Sequence, residues 1–253
     1  MAETCAVIPV YDHGRTAGRV VQAARAADLD VVLVDDGSRP ECGQALDAIA
    51  AADNRVHLLR HGSNQGKGAA VQTGLRKAAA LGYRNALQID ADGQHSLADI
   101  PRFVAESRAN PGAVVCGRPV FGDDAPRARI YGRRLTNFWV SVHTWSRDIP
   151  DAMCGFRMYP LAATVPLLDK AGLGRRMDFD IEILVRLFWL GVPMRWLPTV
   201  IAYPPDGRSH FRMRLDNYLI ARAHTVLFFG MLARAPALAA RKLGLARSRW
   251  RAA

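Results

Sequence analysis

The chain has 253 residues, half of them hydrophobic, which is enough for one large α/β domain or two small ones and excludes a disordered protein. A formal net charge of +11 and a pI near 10.1 indicate an anionic partner: nucleic acid, an anionic membrane surface or a phosphorylated substrate. Neither a disulfide framework nor a zinc site is predicted, because no CxxC pair joins the widely spaced cysteines Cys5, Cys42, Cys116 and Cys154.

The start of the chain, MAETCAVIPV, lacks the basic and apolar segments of an export signal. No uncharged apolar run is long enough for a spanning helix, which needs roughly 18 residues or more. We therefore expect a cytoplasmic protein without a membrane-spanning segment.

Short apolar segments rich in β-branched residues predict four buried strands in the first half of the chain, at 5–10, 31–36, 86–90 and 113–117. Ala-rich segments with helical spacing lie between the first three, at 16–27 and 66–82. This alternation predicts an α/β fold with a mostly parallel central sheet flanked by helices. Such sheets bind ligands outside the carboxyl ends of their strands, where VDDGS, IDADGQH and VCGRP stand.

The second half of the chain is more aromatic and basic. It predicts an amphipathic helix, a loop leading to a strand, a second helix and a final strand, at 129–145, 151–160, 177–191 and 192–204. Because no linker interrupts these elements, we predict one domain over residues 1–212, followed by a basic amphipathic helical tail over 213–253. The apolar tail segment is interrupted by Arg222 and His224, which favours a membrane interface; packing on the domain or at a dimer contact is the alternative.

Two acidic pairs follow predicted strands. Asp90 and Asp92 are separated by one residue, so in an extended segment both side chains can address one divalent cation, with Mg²⁺ or Mn²⁺ fitting oxygen ligands. An Asp-Gly turn is the alternative. Asp35 and Asp36 in VDDGS are able to accept hydrogen bonds from a base or a ribose, or to form an ordinary turn.

Two common nucleotide-binding fingerprints are missing. No GxGxxG follows the first strand, which disfavours a dinucleotide dehydrogenase, and NQGKG lacks the spacing of a P-loop. A Gly-Lys-Gly turn that opens a helix can still bring Lys67 to a phosphate or a base; a simple helix start is the alternative.

In chain order, IPVYDHG, VDDGS, NQGKGAAVQTGL, IDADGQH, DAMCGFRMYP, FDIEIL and GRSHFR resemble family 2 glycosyltransferases over roughly residues 4–212. The similarity is to their dolichyl- or polyprenyl-phosphate mannose synthase-like branch. It implies the GT-A fold, a UDP- or GDP-sugar donor, a Mg²⁺ or Mn²⁺ cofactor and inversion at the anomeric carbon. The QxxRW motif of processive polysaccharide synthases is absent, so transfer of a single sugar is expected.

The resemblance implies roles for residues on the donor side. The base pocket is expected to involve Pro9, Tyr11, Asp35 and Asp36. Asp90 would face the ribose or the metal, while Asp92 and Gln94 would hold the cation against the diphosphate. Arg208 and His210 match the loop that closes over the diphosphate.

On the acceptor side, Asp151 is the candidate general base if the acceptor is a hydroxyl. If the acceptor is a lipid phosphate, no base is required and Asp151 orders the site. The arginines that would hold an acceptor phosphate, with a basic helix face as the alternative, are Arg118, Arg133 and Arg134. Packing or bracing roles without chemistry are expected of Glu182, His95, His143 and His224.

The expected partners are a nucleotide-diphosphate sugar, a lipid-linked acceptor and the inner face of the cytoplasmic membrane, without nucleic acid. Three rivals remain at this point. A sugar-1-phosphate nucleotidyltransferase would carry a GxGTRxxP-like stretch where this chain has IPVYDHGRT. A nucleic-acid-binding protein rests on charge alone, and a degenerate sugar-nucleotide-binding module is disfavoured by the intact DAD and GFR motifs.

Overall fold

The computed structural model describes residues 3–122, 126–202 and 210–244. Its strands are β1 (Thr4–Val10), β2 (Asp30–Asp35), β3 (Val56–Arg60), β4 (Asn85–Gln88), β5 (Val114–Phe121), β6 (Arg157–Pro160) and β7 (Met194–Ile201). They form one sheet of order β3-β2-β1-β4-β6-β5-β7. Only β6 runs antiparallel to its neighbours among these strands, so the prediction of a mostly parallel sheet is confirmed.

The helices are α1 (Gly14–Ala26), α2 (Pro40–Ala52), α3 (Lys67–Ala80), α4 (Ile100–Ala109), α5 (Arg127–Thr144), α6 (Leu161–Lys170), α7 (Phe179–Leu190), α8 (Met213–Leu232) and α9 (Ala235–Lys242). They cover both faces of the sheet, which explains why the strands are apolar without interruption. In β1, Val7 belongs to the core cluster that includes residues of α3, α5, α7 and α8, and Ile8 to the cluster that includes residues of α1, α2 and α4.

Two glycines bring α3 close to its neighbours. A Cβ at Gly74 would overlap Cγ1 of Val7 in β1, and a Cβ at Gly68 would overlap Cβ of Phe179 in α7. The small residues therefore let α3 lie directly on the sheet and against α7. This packing fixes Lys67, the first residue of α3, at the carboxyl ends of the central strands.

The C-terminal helix α8 packs on the domain along one face. Its buried side chains include Ala223, Leu227 and Met231, and its Asp216 pairs with Arg176 at 2.7 Å. In the part of the chain described, no single helix is long and apolar enough to cross a bilayer; α8 and α9 meet that test only as a pair, bent by 71°. The predicted boundary at residue 212 stays a prediction.

Candidate active site

A cavity of about 1370 Å³ opens at the carboxyl ends of the central strands. The predicted donor-side residues that line it are Pro9, Tyr11, Asp36, Lys67, Asp90, Asp92, Gln94 and His210. The ring of His210 meets that of Tyr11 edge-on at 4.9 Å between centroids. Arg208 lies outside the described residues. The sheet edge predicted from the parallel topology is therefore where these side chains meet.

The two acids of VDDGS have different surroundings. The buried carboxylate of Asp36 accepts the backbone N–H groups of Gln65 (2.9 Å) and Gly66 (2.8 Å), and it contacts Nδ1 of His61 at 2.7 Å. Asp36 thus ties the end of β2 to the NQGKG loop. Asp35 is not among the residues that line the cavity; its carboxylate accepts the N–H of Ser38 at 2.9 Å and Nε of Arg60 at 2.8 Å.

Asp90 and Lys67 form a mostly buried ion pair at the bottom of the cavity. Nζ of Lys67 donates to Oδ2 of Asp90 at 2.8 Å and to Oδ2 of Asp180 at 3.0 Å. Burial opposes the charge on Asp90, but Lys67 and a contact with His95 outweigh it and hold the pKa of Asp90 well below its ordinary range. Burial likewise opposes the charge on Lys67, and its two carboxylate partners raise its pKa above the ordinary value.

The acidic residues of the DADGQH segment fit a divalent cation that also binds a substrate. Oδ1 of Asp90 is buried without a hydrogen-bond partner among the described residues, which leaves one carboxylate oxygen available as a ligand. Asp92 lines the same cavity and accepts the N–H of Gln94 at 3.0 Å. The described residues contain no group of three or more His, Cys, Asp or Glu side chains arranged to hold a metal. Mg²⁺ commonly binds to one or two protein carboxylates, while phosphate oxygens of the substrate and water complete its coordination shell.

Asp151 is buried and fully engaged in hydrogen bonds and an ion pair. Nη1 of Arg133 lies 2.6 Å from each of its carboxylate oxygens, and the N–H groups of Met153 (3.0 Å) and Cys154 (2.8 Å) donate to Oδ1. These contacts engage both carboxylate oxygens, so Asp151 is not positioned to take a proton from an acceptor hydroxyl. The geometry therefore favours an ordering role for Asp151.

The predicted acceptor arginines are separated by the structure. Arg133 lines the cavity, whereas Arg118 and Arg134 are exposed and lie outside its lining. Three arginines not predicted from the sequence line the cavity instead: Arg129, Arg176 and Arg212. Arg133 and Arg176 are paired with Asp151 and Asp216, and with Arg129 and Arg212 they make this region of the cavity richer in basic side chains than the donor side.

Beyond the arginines, the cavity extends between α5 and α8. Its lining there is largely apolar: Leu135, Thr136, Trp139, Ile220, Ala221 and Phe228. Nε2 of His143 in α5 lies 3.0 Å from Nδ1 of His224 in α8, so the two histidines pack the helices together, in agreement with their predicted packing role. The cavity thus joins an acidic, a basic and an apolar region in one space.

The family described as Glycosyl transferase family 2 matches residues 5–164 of the chain. The chain belongs to this family. It is a glycosyltransferase, which removes the reason to consider a sugar-1-phosphate nucleotidyltransferase or a nucleic-acid-binding protein.

Curated relatives and solved structures are similar to this glycosyltransferase over most of its length. An undecaprenyl-phosphate mannosyltransferase of Micrococcus luteus is 26% identical and the match covers 94% of this chain and 98% of the relative. A UDP-N-acetylglucosamine–dolichyl-phosphate N-acetylglucosaminyltransferase of Methanococcus voltae is 31% identical over 71% of this chain and 77% of the relative. Glucosyl-3-phosphoglycerate synthase of Mycobacterium tuberculosis, solved with Mn²⁺, UDP-glucose and phosphoglyceric acid, superposes with a TM-score of 0.61 at 14% identity, covering 98% of this chain and 82% of that one. The fold is GT-A.

Two charged residues next to the glycosyltransferase site were not predicted from the sequence. Asp180 and Arg157 stand in the FDIEIL and GFR segments that carried the family resemblance, yet neither was given a role. Asp180 contacts Lys67 across 113 residues of sequence, a distance over which spacing carries no signal. Glu182, by contrast, pairs with Arg186 on the same helix at 3.3 Å, in agreement with the predicted bracing role.

Proposed function

We propose that this glycosyltransferase moves a single sugar from a UDP- or GDP-sugar to a polyprenyl-phosphate acceptor, with inversion and with Mg²⁺ or Mn²⁺ bound. The observation that carries the proposal is the continuous cavity, in which acidic, basic and apolar regions follow one another. These regions match a cation with its diphosphate, an acceptor phosphate and an isoprenoid chain.

On the donor side, Pro9, Tyr11 and Asp36 would surround the base, and Asp90, Asp92 and Gln94 would hold the cation. When bound, the cation supplies positive charge to the leaving nucleoside diphosphate. Lys67 already donates to two carboxylates, so we assign it to the ion-pair network around Asp90 rather than to direct phosphate binding. Tyr11 and His210 would close the pocket by their ring contact.

On the acceptor side, a phosphate oxygen would attack the anomeric carbon as the bond to the donor diphosphate breaks on the opposite face. An ionised phosphate needs no proton removed, which agrees with an Asp151 that is already paired with Arg133. Guanidinium groups suit phosphate oxygens. The named relatives from Micrococcus luteus and Methanococcus voltae act on undecaprenyl and dolichyl phosphates, which supports the same acceptor class here.

A lipid acceptor requires access from a membrane, and α5 and α8 provide a suitable surface. Tyr131, Leu135 and Phe138 of α5 are each more than half exposed, as are Tyr218 and Phe229 of α8. Amphipathic helices with aromatic and basic residues lie in the headgroup region of a bilayer. We place the protein at the inner face of the cytoplasmic membrane as a peripheral protein.

Isothermal titration with UDP and with GDP, each with and without Mn²⁺, tests the donor side of this proposal. We expect Mn²⁺-dependent binding of one nucleotide and its loss in Asp92→Ala. Asp148→Ala, which removes an exposed acid outside the cavity lining, serves as the matched control and should bind as the wild type does. Failure of both nucleotides to bind the folded wild type under all conditions would refute the proposed function.

Incubation with radiolabelled UDP- or GDP-sugar and undecaprenyl phosphate tests the acceptor. The expected product is a chloroform-soluble sugar phospholipid. Label that passes to water but not to lipid would contradict the lipid-phosphate acceptor while leaving the donor assignment intact.

A further inference from the structure

Four charged side chains form a chain that leads from the cavity into the protein interior. Asp90 contacts Lys67 at 2.8 Å, Lys67 contacts Asp180 at 3.0 Å, and Arg157 lies 3.9 Å from the carboxylate of Asp180. Arg157 also donates to the backbone carbonyl of Asp180 at 2.6 Å and is completely buried. Asp180 therefore stands between two cations and is itself 4% exposed.

Burying the charged carboxylate of Asp180 carries a desolvation penalty. A buried ion pair repays its desolvation only with good geometry, and two hydrophobic residues of similar volume often replace one without loss of stability. Asp180 is also absent from the cavity lining, so it does not meet a substrate directly. Its effect on the cavity must pass through Lys67, which does line it.

The consequence concerns the net charge offered to a cation. Asp90, Asp92 and Asp180 together with Lys67 and Arg157 leave one net negative charge at this end of the cavity. Without Asp180, the two cations would balance Asp90 and Asp92, and no net negative charge would remain. Since charges a few ångströms apart in a partly buried site interact strongly, this difference acts directly on the affinity for a divalent cation.

We propose that Asp180 is a positioning residue. It shares the ammonium of Lys67 with Asp90, so that Lys67 does not fully neutralise Asp90 and the Asp90–Asp92 segment keeps its affinity for a divalent cation. This inference rests on the proposed function. It assigns to the start of α7 a role in cation binding although Asp180 is not a ligand.

Direct Mn²⁺ binding, measured by the electron paramagnetic resonance signal of free Mn²⁺ with saturating UDP or GDP, tests the proposal independently of activity. Asp180→Asn should weaken Mn²⁺ binding by about tenfold or more. The double variant Lys67→Met with Asp180→Asn removes one charge of each sign, so it restores the wild-type net charge and should return Mn²⁺ affinity to near the wild-type value. Lys67→Met alone should bind Mn²⁺ more tightly than the wild type.

Glu182→Gln is the matched control, because Glu182 lies two residues after Asp180 on the same helix and is likewise a buried acid with a basic partner, Arg186. It should leave Mn²⁺ affinity unchanged. Circular dichroism checks that each variant is folded. If Asp180→Asn does not fold, the Mn²⁺ affinity of Lys67→Met compared with that of the wild type still tests the proposal.

The outcomes separate this inference from the proposed function. Wild-type protein that binds neither nucleotide nor Mn²⁺ refutes both. In the other case the wild type binds Mn²⁺, Asp180→Asn binds it with equal affinity and Lys67→Met shows no gain. That result overturns the role of Asp180 and leaves the proposed function in place.

Discussion

Gly155, in the GFR segment, packs its backbone against the ion pair at the bottom of the cavity. A Cβ at this position would overlap Oδ2 of Asp90 and lie 2.6 Å from Nζ of Lys67. Both atoms are the ends of flexible side chains, so Gly155→Ala should displace the pair rather than unfold the protein. We expect Mn²⁺-dependent nucleotide binding to fall by about tenfold or more, with a stability loss of only about 1 kcal/mol.

Gly172→Ala is the control for this prediction, because nothing lies within 4 Å of the Cβ it would add. Calorimetry of nucleotide binding and thermal unfolding of both variants provide the measurement. Equal nucleotide binding by the two variants would show that the ion pair tolerates displacement and that Gly155 has no special role.

The individual site residues that could be predicted are those in motifs at the ends of strands. Asp36, Asp90, Asp92 and Gln94 lie at one cavity because the carboxyl ends of parallel strands share an edge. Pairings such as Arg133 with Asp151 were not predicted, although both residues were candidates. Side-chain partners depend on how α5 packs against the loop before β6, and residue spacing contains no such information.

The contact between α5 and α8 is expected to weaken at low pH. Burial lowers the pKa of His143 to about 4, with a further contribution from His224, and burial lowers the pKa of His224 to about 4 as well. Unfolded histidines titrate near 6.5, so between about pH 6.5 and 4 the unfolded chain takes up protons that the folded protein does not. The free energy of unfolding therefore falls as the pH decreases through this window.

Chemical denaturation at several pH values measures this effect. Each histidine should contribute less than about 1.4 kcal/mol per pH unit, because solvent reaches part of His224. His224→Gln, neutral throughout, should flatten the dependence, whereas His57→Gln in edge strand β3 should retain it. A pH dependence unchanged in His224→Gln would contradict the assignment.

Elements with strong patterns were predicted and weaker ones were missed. The runs at 5–10 and 31–36 and the helix at 177–191 correspond to β1, β2 and α7. Strand β3 lies at the edge of the sheet, so its middle residues are only partly buried and its sequence pattern is too weak to predict a strand. The position of β6 between β4 and β5, antiparallel to both, was not predicted either, since strand order depends on long-range pairing.

For the whole molecule, the exposed apolar face of α8 predicts binding to membranes. Leu215, Tyr218, Phe229 and Leu232 recur at helical spacing on the side opposite the buried Leu227, and each of the four is at least 40% exposed. The net charge of +11 adds attraction to anionic headgroups. We therefore expect the protein to sediment with vesicles that contain phosphatidylglycerol, and less so at high salt.

The double variant Tyr218→Ser and Phe229→Ser should lower vesicle partitioning by about tenfold or more, because inserting an aromatic ring contributes about 2 kcal/mol. Its stability should be unchanged, since both side chains are already exposed. Val200→Ser provides the control: Val200 is 58% exposed, but it lies on β7 at the edge of the sheet. If co-sedimentation with vesicles falls equally in the α8 variant and in the Val200→Ser control, or falls in neither, this face of α8 is not the membrane-binding surface. Loss confined to the α8 variant, with transfer to a short water-soluble polyprenyl phosphate retained, would show that the helix brings the enzyme to its lipid while the cavity performs the reaction.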